Sequence, residues 1–227
     1  MRLRQPENGY RYNTDSILLY RFASQKRLKG SLLDVGCGCG IVGLLLTRDF
    51  GTELSGVDIQ EEMVAYAIEN GALNNIKARF FAQDFRAFDR GEKYDAIVCN
   101  PPFYSAKTAH SRNLSLKIAR NADALSIADF LRQAGRLLKS NGELFFCYDA
   151  SELSAIFQTL ERLRWRTRTI QFAHRTQRDA ARLVFIGAKK SSVKAVKVLP
   201  PIFMRDDIGI SDDMREIAKK AGTQCAT

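Results

Sequence analysis

The sequence predicts an α/β protein built on a doubly wound, mostly parallel sheet of seven strands, with an antiparallel pair closing one edge. Three observations predict it. Short apolar runs alternate with helix-period segments from about residue 31 to 163, the pattern of successive βαβ units. The first such run, Ser31-Leu32-Leu33-Asp34-Val35, enters the turn Gly36-Cys37-Gly38-Cys39-Gly40, and a helical pattern opens directly at Ile41. The second run ends in an acid, Asp58, roughly 20 residues after Gly36, the spacing of a carboxylate that meets a ribose.

Each element has its own local signal. Gly9-Tyr10-Arg11-Tyr12-Asn13-Thr14-Asp15 is a turn-rich lead-in, with Thr14 the expected N-cap of a helix from Asp15 to Ser24. Strands follow at Ser31–Val35 and Thr52–Ile59, then a helix from Gln60 that the pair Asn70-Gly71 is expected to stop. Ala78–Ala82 is the third strand, leading into Gln83-Asp84-Phe85. Tyr94–Cys99 is the fourth and runs into Asn100-Pro101-Pro102-Phe103, where two prolines fix φ and withdraw their donors from any ladder. Residues 104–122 read as a long polar, basic loop of functional character. A helix over Ser126–Leu138, a fifth strand over Glu143–Tyr148 and a helix over residues 151–163 complete the alternating part. Residues 166–173 and 182–189 alternate as a closing antiparallel pair, and Ser211–Ala221 is a last helix. The organisation expected is a lead-in over 1–30, a main domain over 31–190, and an extension of it over 191–227.

Composition narrows the function. The 227 residues are 45% hydrophobic and 26% charged, an ordinary globular balance. No apolar run approaches the ~20 residues of a membrane span, and the N-terminus lacks the apolar stretch of a signal peptide, so a cytoplasmic location and no membrane partner are expected. Five scattered cysteines without a Cys-x-x-Cys pair, and only two histidines, predict free thiols and no metal site. Cys99 and Trp165 are expected in the core. The net charge of +10 is segregated: residues 31–100 hold six basic and eleven acidic groups, whereas 158–205 hold twelve and two. Such segregation favours a polyanionic partner. Arg11, Arg120, Arg164, Arg166, Arg168, Arg175, Arg178 and Arg182 are the candidate phosphate contacts.

In a doubly wound sheet the ligand lies at the carboxyl ends of the strands. Asp34 to Gly40, Asp58, Asp84 and Asn100 to Phe103 should therefore line one crevice. The glycines at 36, 38 and 40 alternate, unlike G-x-G-x-x-G, and no lysine follows them as in a phosphate-binding loop. An acid before the loop repels phosphate and attracts an ammonium. A nucleoside with an amino-acid tail fits this loop better than a dinucleotide does. The corner at Asn100 offers an amide, a free carbonyl at Pro101 and an aromatic face at Phe103, which together suit a planar molecule bearing an amino group.

Taken in that order, Asp34-to-Gly40, Asp58, Asp84 and Asn100-Pro101-Pro102-Phe103 resemble the Rossmann-like class I S-adenosylmethionine-dependent methyltransferases, and the corner resembles the motif of those acting on amino groups. Residues 9–15, Ala119-Arg120 and Leu199-Pro200-Pro201-Ile202 resemble one branch, the bacterial tRNA (adenine-N6)-methyltransferases that modify the adenine 3′ of the anticodon in a valine tRNA. The resemblance implies S-adenosylmethionine as cofactor, held by Asp34, Gly36, Gly38, Gly40, Asp58 with Ile59, Asp84 with Phe85, and Asn100. It implies Asp58 on the ribose hydroxyls and Asp84 on the cofactor's adenine amino group. Asn100, Pro101 and Phe103 would be catalytic: the amide oxygen and the carbonyl orient the target amine, acceptors of a kind worth about 3–4 kcal/mol each, and the phenyl stacks on the base. Other readings stay open: ribosomal RNA as substrate, methylation of a protein glutamine (for which 33 residues before Asp34 leave little room for a substrate domain), and a non-catalytic RNA-binding module on the same fold.

Overall fold

A computed structural model describes residues 1–6, 12–101, 125–190 and 195–225. Among the described residues the α-helices and strands follow in chain order: β1 Arg2–Leu3, α1 Thr14–Ala23, β2 Ser31–Val35, α2 Ile41–Phe50, β3 Glu53–Asp58, α3 Glu61–Leu73, β4 Ala78–Ala82, β5 Tyr94–Cys99, α4 Ile127–Leu137, β6 Leu138–Asp149, α5 Leu153–Arg162, β7 Arg166–His174, β8 Ala181–Lys189, β9 Lys197–Val198, β10 Ile202–Phe203, β11 Arg205–Asp206, β12 Gly209–Ile210, α6 Asp212–Ala221 and β13 Gln224–Cys225.

The sheet runs β10-β7-β8-β6-β5-β2-β3-β4, with β9 also on β7. Strands β2 to β6 pair in parallel, and β8 runs antiparallel to both β6 and β7. The seven strands β2 to β8 are the ones the sequence predicts, closing pair included. Two-residue strands β9 and β10 bring the sheet to nine. Strand order reverses between β2 and β5, which opens a crevice at their carboxyl ends.

Helices cover both faces. One apolar cluster joins α1, α2 and α6 to the sheet through residues such as Leu18, Phe22, Leu45 and Ile217. The other packs α4 and α5 on the opposite face through Phe130, Leu131, Ile156 and Leu160. Trp165 belongs to this second cluster and its indole N–H donates to the Leu131 carbonyl at 3.2 Å, so it is a core residue with its one polar group satisfied. Cys99 is likewise buried.

Local differences from the expectation have identifiable causes. The cap of α1 is Asn13, not Thr14: its Oδ1 accepts from the N–H groups of Asp15 (3.0 Å) and Ser16 (3.3 Å). Asn70-Gly71 does not end α3, which continues to Leu73. The Asn70 side chain is instead buried, donating to the Arg4 and Cys39 carbonyls at 2.8 and 2.9 Å and accepting from the Arg4 N–H. It ties the N-terminal segment to the glycine turn. Strand β6 begins at Leu138, five residues before the expected start at Glu143, because Leu138 pairs with Tyr94 ahead of an irregular register.

Candidate active site

The glycine turn is organised by two acids that lie beneath it. Asp34, at the end of β2, is 2% exposed, and its Oδ2 accepts from the Gly43 N–H in the first turn of α2 at 2.8 Å. Burial pushes its carboxyl up to about 7, against the lowering effect of that hydrogen bond and with a further upward push from Asp58. Asp58 ends β3 with 9% exposure. Its Oδ2 accepts from the Gly38 N–H at 2.8 Å and its Oδ1 from the Gln60 N–H at 3.0 Å. Burial raises its carboxyl as well, opposed by those bonds. Asp58 thus spends part of its capacity on the loop, and Asp34 on the helix that follows the loop. Each carboxylate oxygen has a second lone pair for a ligand.

Gly36 has φ +64°, and a Cβ placed on it would meet no atom within 4 Å. The turn therefore demands glycine for its backbone and at the same time faces open space. Gly36, Gly38, Asp34, Ser16, Tyr12 and Asn100 line one cavity at this point. Ile59, beside Asp58, is 63% exposed and offers an apolar surface. Such a set suits a nucleoside with a cationic tail: a diol acceptor at Asp58, an acid at the loop and an uncovered backbone at Gly36.

Asp84 and Phe85 differ from expectation: neither lines this cavity. The Arg86 guanidinium donates to both oxygens of Asp84 (Nη2 to Oδ2 at 2.6 Å, Nε to Oδ1 at 3.1 Å), and the Arg86 N–H donates to Asp84 Oδ1 at 2.8 Å. The hydrogen bond from the Arg86 side chain lowers the carboxyl. The Phe85 ring is buried and lies 5.9 Å from the Phe130 ring, so its side chain is a core group.

At the end of β5 the Asn100 amide is held from both sides. Its Nδ2 donates to Ser16 Oγ at 2.9 Å, and its Oδ1 accepts from the Cys147 thiol at 2.9 Å. Ser16 and Cys147 are buried. Ser16 is presented by α1, whose neighbouring Asp15 is buried and ion-paired with Arg182. Burial raises the Asp15 carboxyl and Arg182 opposes this. One chain of contacts therefore runs from β8 through α1 to the corner. Burial also drives the thiols of Cys37, Cys99 and Cys147 upward and that of Cys39 to about 12, so none is a ready nucleophile.

The structure brings Asp34, Gly36, Gly38 and Asn100 to one cavity, with Asp58 bonded to the Gly38 N–H, whereas Gly40 faces the side chains of Leu44, Ala67 and Phe80. Pro102, Phe103, Arg11, Arg120 and the loop 104–122 lie outside the described residues. Ser16 and Cys147 escaped the sequence reading. A serine in a helix and a cysteine in a strand carry no local sign of serving a residue over 40 positions away. Among the described residues no group of three or more His, Cys, Asp or Glu could hold a metal ion, and no helix is long and apolar enough to cross a membrane.

The doubly wound sheet, with a cavity at its switch point and an Asn-Pro corner beside it, fits the α/β methyltransferase class. Solved structures agree on the fold. A predicted O-methyltransferase from Agrobacterium tumefaciens superposes with TM-score 0.67 at 15% identity, covering 94% of this chain and 100% of that one. The ribosomal protein L11 methylase of Lactobacillus delbrueckii gives 0.59 at 22% identity over 83% and 84%. The chain belongs to the methyltransferase small domain family, whose model matches residues 13–171. Curated relatives named tRNA1(Val) (adenine(37)-N6)-methyltransferase include one from Christiangramia forsetii, 33% identical over 65% of this chain and 64% of its own length. A second, from Parabacteroides distasonis, is 34% identical over 58% and 56%. A third, from Dyadobacter fermentans, is 25% identical over 94% and 90%. The matched stretch thus spans less than two thirds of the first two relatives.

Proposed function

We propose that this protein transfers the methyl group of S-adenosylmethionine to the exocyclic N6 amine of an adenine in tRNA. The observation that carries the reading is the Asn100 amide, fixed between Ser16 and Cys147 at the mouth of the glycine-loop crevice. The names of the relatives and the basic surplus of the chain support tRNA as the polymer. That substrate also implies reaction in the cytoplasm.

The crevice residues fit the cofactor. Asp34 would attract its ammonium, Asp58 would accept from its ribose hydroxyls, and Gly36 leaves room for it against backbone. Ile59 would cover one side of its adenine, and Asp84 sits at the far strand end with its carboxylate partly engaged by Arg86. When bound, S-adenosylmethionine supplies an electrophilic methyl group on a sulfonium. Asn100 Oδ1 keeps one lone pair beyond that taken by the Cys147 thiol, and with the Pro101 carbonyl it accepts the two hydrogens of the target amine. Those acceptors aim the nitrogen lone pair and favour the positive charge that grows on it. The released proton passes to solvent, so no base of matched pKa is needed. Phe103 follows in sequence and is assigned the stacking face for an extruded base. The segments 1–30 and 191–227 are assigned to the same functional unit as the central domain.

Asn100→Ala tests the corner. Cofactor binding by calorimetry should stay within about threefold of wild type, while methyl transfer falls at least 100-fold. Unchanged turnover would refute the role given to Asn100.

A further inference from the structure

The arginines that composition groups together lie at two opposite ends of the sheet. Arg166 faces Lys189 at one end of the β7–β8 pair, and His174 faces Ala181 at the other. Leu183 of β8 lies beside Asp149, the last residue of parallel strand β6. Arg175, Arg178 and Arg182 therefore sit at the crevice end, and Arg164, Arg166 and Lys190 at the amino end. A six-residue strand separates the two ends by about 20 Å.

The two groups are also neutralised differently. At the crevice end each arginine has a carboxylate: Arg175 with Asp179 at 3.3 Å, Arg178 with Asp207 at 3.8 Å, and Arg182 with Asp15. At the amino end Arg164, Arg166 and Lys190 are joined by Arg136 and Lys93, and none of the five has an ion-pair partner among the described residues. The two acids closest in the sheet, Asp95 and Glu143, are engaged by Lys139 and Lys189. Glu161 is the remaining exposed acid on the adjoining turn of α5. The surface is continuous: Lys190 packs beside Gly135, the neighbour of Arg136, and its ammonium donates to the Leu163 carbonyl at 3.0 Å, while the Lys93 ammonium donates to the Arg136 carbonyl.

Arg164 adds a second kind of observation. It is exposed and has φ +58°, one residue past Leu163, the C-cap of α5. Glycine is the usual residue in that left-handed position, so the arginine occupies it at a steric cost.

We infer that this end of the sheet is a second phosphate-docking surface, which takes the backbone of a base-paired arm of the RNA whose target nucleotide enters the crevice. The inference rests on reading the crevice as an RNA methyltransferase site. Five unneutralised cations some 20 Å from the chemistry serve a long polyanion, because a single loop at the crevice would not reach them.

The test compares full-length tRNA with its isolated anticodon stem-loop, in direct binding to wild type and to the triple variant Arg136→Gln, Arg164→Gln, Arg166→Gln. Full-length affinity should fall at least tenfold, and its log–log salt slope should become shallower by about 2–3, as for three lost phosphate contacts. Stem-loop affinity should change less than about threefold, so the preference for the longer RNA collapses. Equal losses for both RNAs, or none for either, would overturn the inference. Arg164→Gly alone should raise the melting temperature while weakening full-length binding; unchanged binding would overturn the assignment of Arg164. Methylation of neither RNA by wild-type protein would refute the reading of the crevice, whereas the length-dependent binding loss judges this surface independently.

Discussion

Asp34 should set an unusual pH dependence on stability, and Asp34→Asn should remove it. The carboxyl moves from its ordinary 3.8 up to about 7 on folding, chiefly through burial. The folded protein then holds a proton that the unfolded chain has already released, so stability from this group falls as pH rises from about 4 to about 7 and is level above that. Each decade of proton affinity is worth about 1.4 kcal/mol, which makes the whole effect at most about 4 kcal/mol, with about 3 kcal/mol of it between pH 5 and 8. An asparagine keeps an oxygen to accept from the Gly43 N–H at the same place and never carries the charge. Asp15 and Asp58 are raised on folding too and slope in the same direction; Asp15 is common to both proteins and cancels in the difference, whereas Asp58, coupled to Asp34 by charge, cancels only in part. The assay is urea denaturation of wild type and variant at several pH values between 5 and 8. The variant should match wild type within about 1 kcal/mol at pH 5 and gain on it steadily toward pH 8. A difference that does not change with pH would refute the claim that burial raises the Asp34 carboxyl on folding.

Three further outcomes follow from the same geometry. If Asp34 meets the cofactor's ammonium, affinity for S-adenosylmethionine should rise as pH climbs from 6 toward about 7, and Asp34→Asn should flatten that rise in calorimetric titrations. Gly36→Ala has space for its methyl group in the free protein, so it should cost only the left-handed strain of about 1–2 kcal/mol in stability while lowering cofactor affinity by a larger factor. Ser16→Ala leaves the Asn100 amide N–H without its acceptor, a change of about 1–3 kcal/mol. It should lower kcat about ten- to a hundredfold with little effect on cofactor Kd, and an equal loss in both would mark Ser16 as a general support only.

The sheet was readable in the sequence because its signals are local. Apolar runs such as Tyr94–Cys99, the glycine turn at 36–40 and the Asn-Pro-Pro corner each announce themselves within a few residues. Strand-end placement then follows from topology, which is why Asp34, Asp58 and Asn100 were found together. Side-chain destinations were less readable. Asn70 looks like a helix stop, but its amide is consumed by the carbonyls of Arg4 and Cys39, and the helix continues past it. Phe85 follows a strand-terminal acid, yet its ring joins Phe130 in the core. The clamp on Asn100 joins residues from α1, β5 and β6, which no short motif can encode. The basic residues after position 158 are close in sequence, but the β7–β8 hairpin sends them to opposite ends of the molecule.

The central claim is methyl transfer to adenine N6 in tRNA. Incubation with methyl-labelled S-adenosylmethionine and separate pools of tRNA, ribosomal RNA, DNA and protein, followed by nucleoside digestion, measures it directly. The account predicts label in the tRNA pool as N6-methyladenosine, lost in Asn100→Ala; label confined to ribosomal RNA or protein, or carried in tRNA by a nucleoside other than N6-methyladenosine, would contradict it.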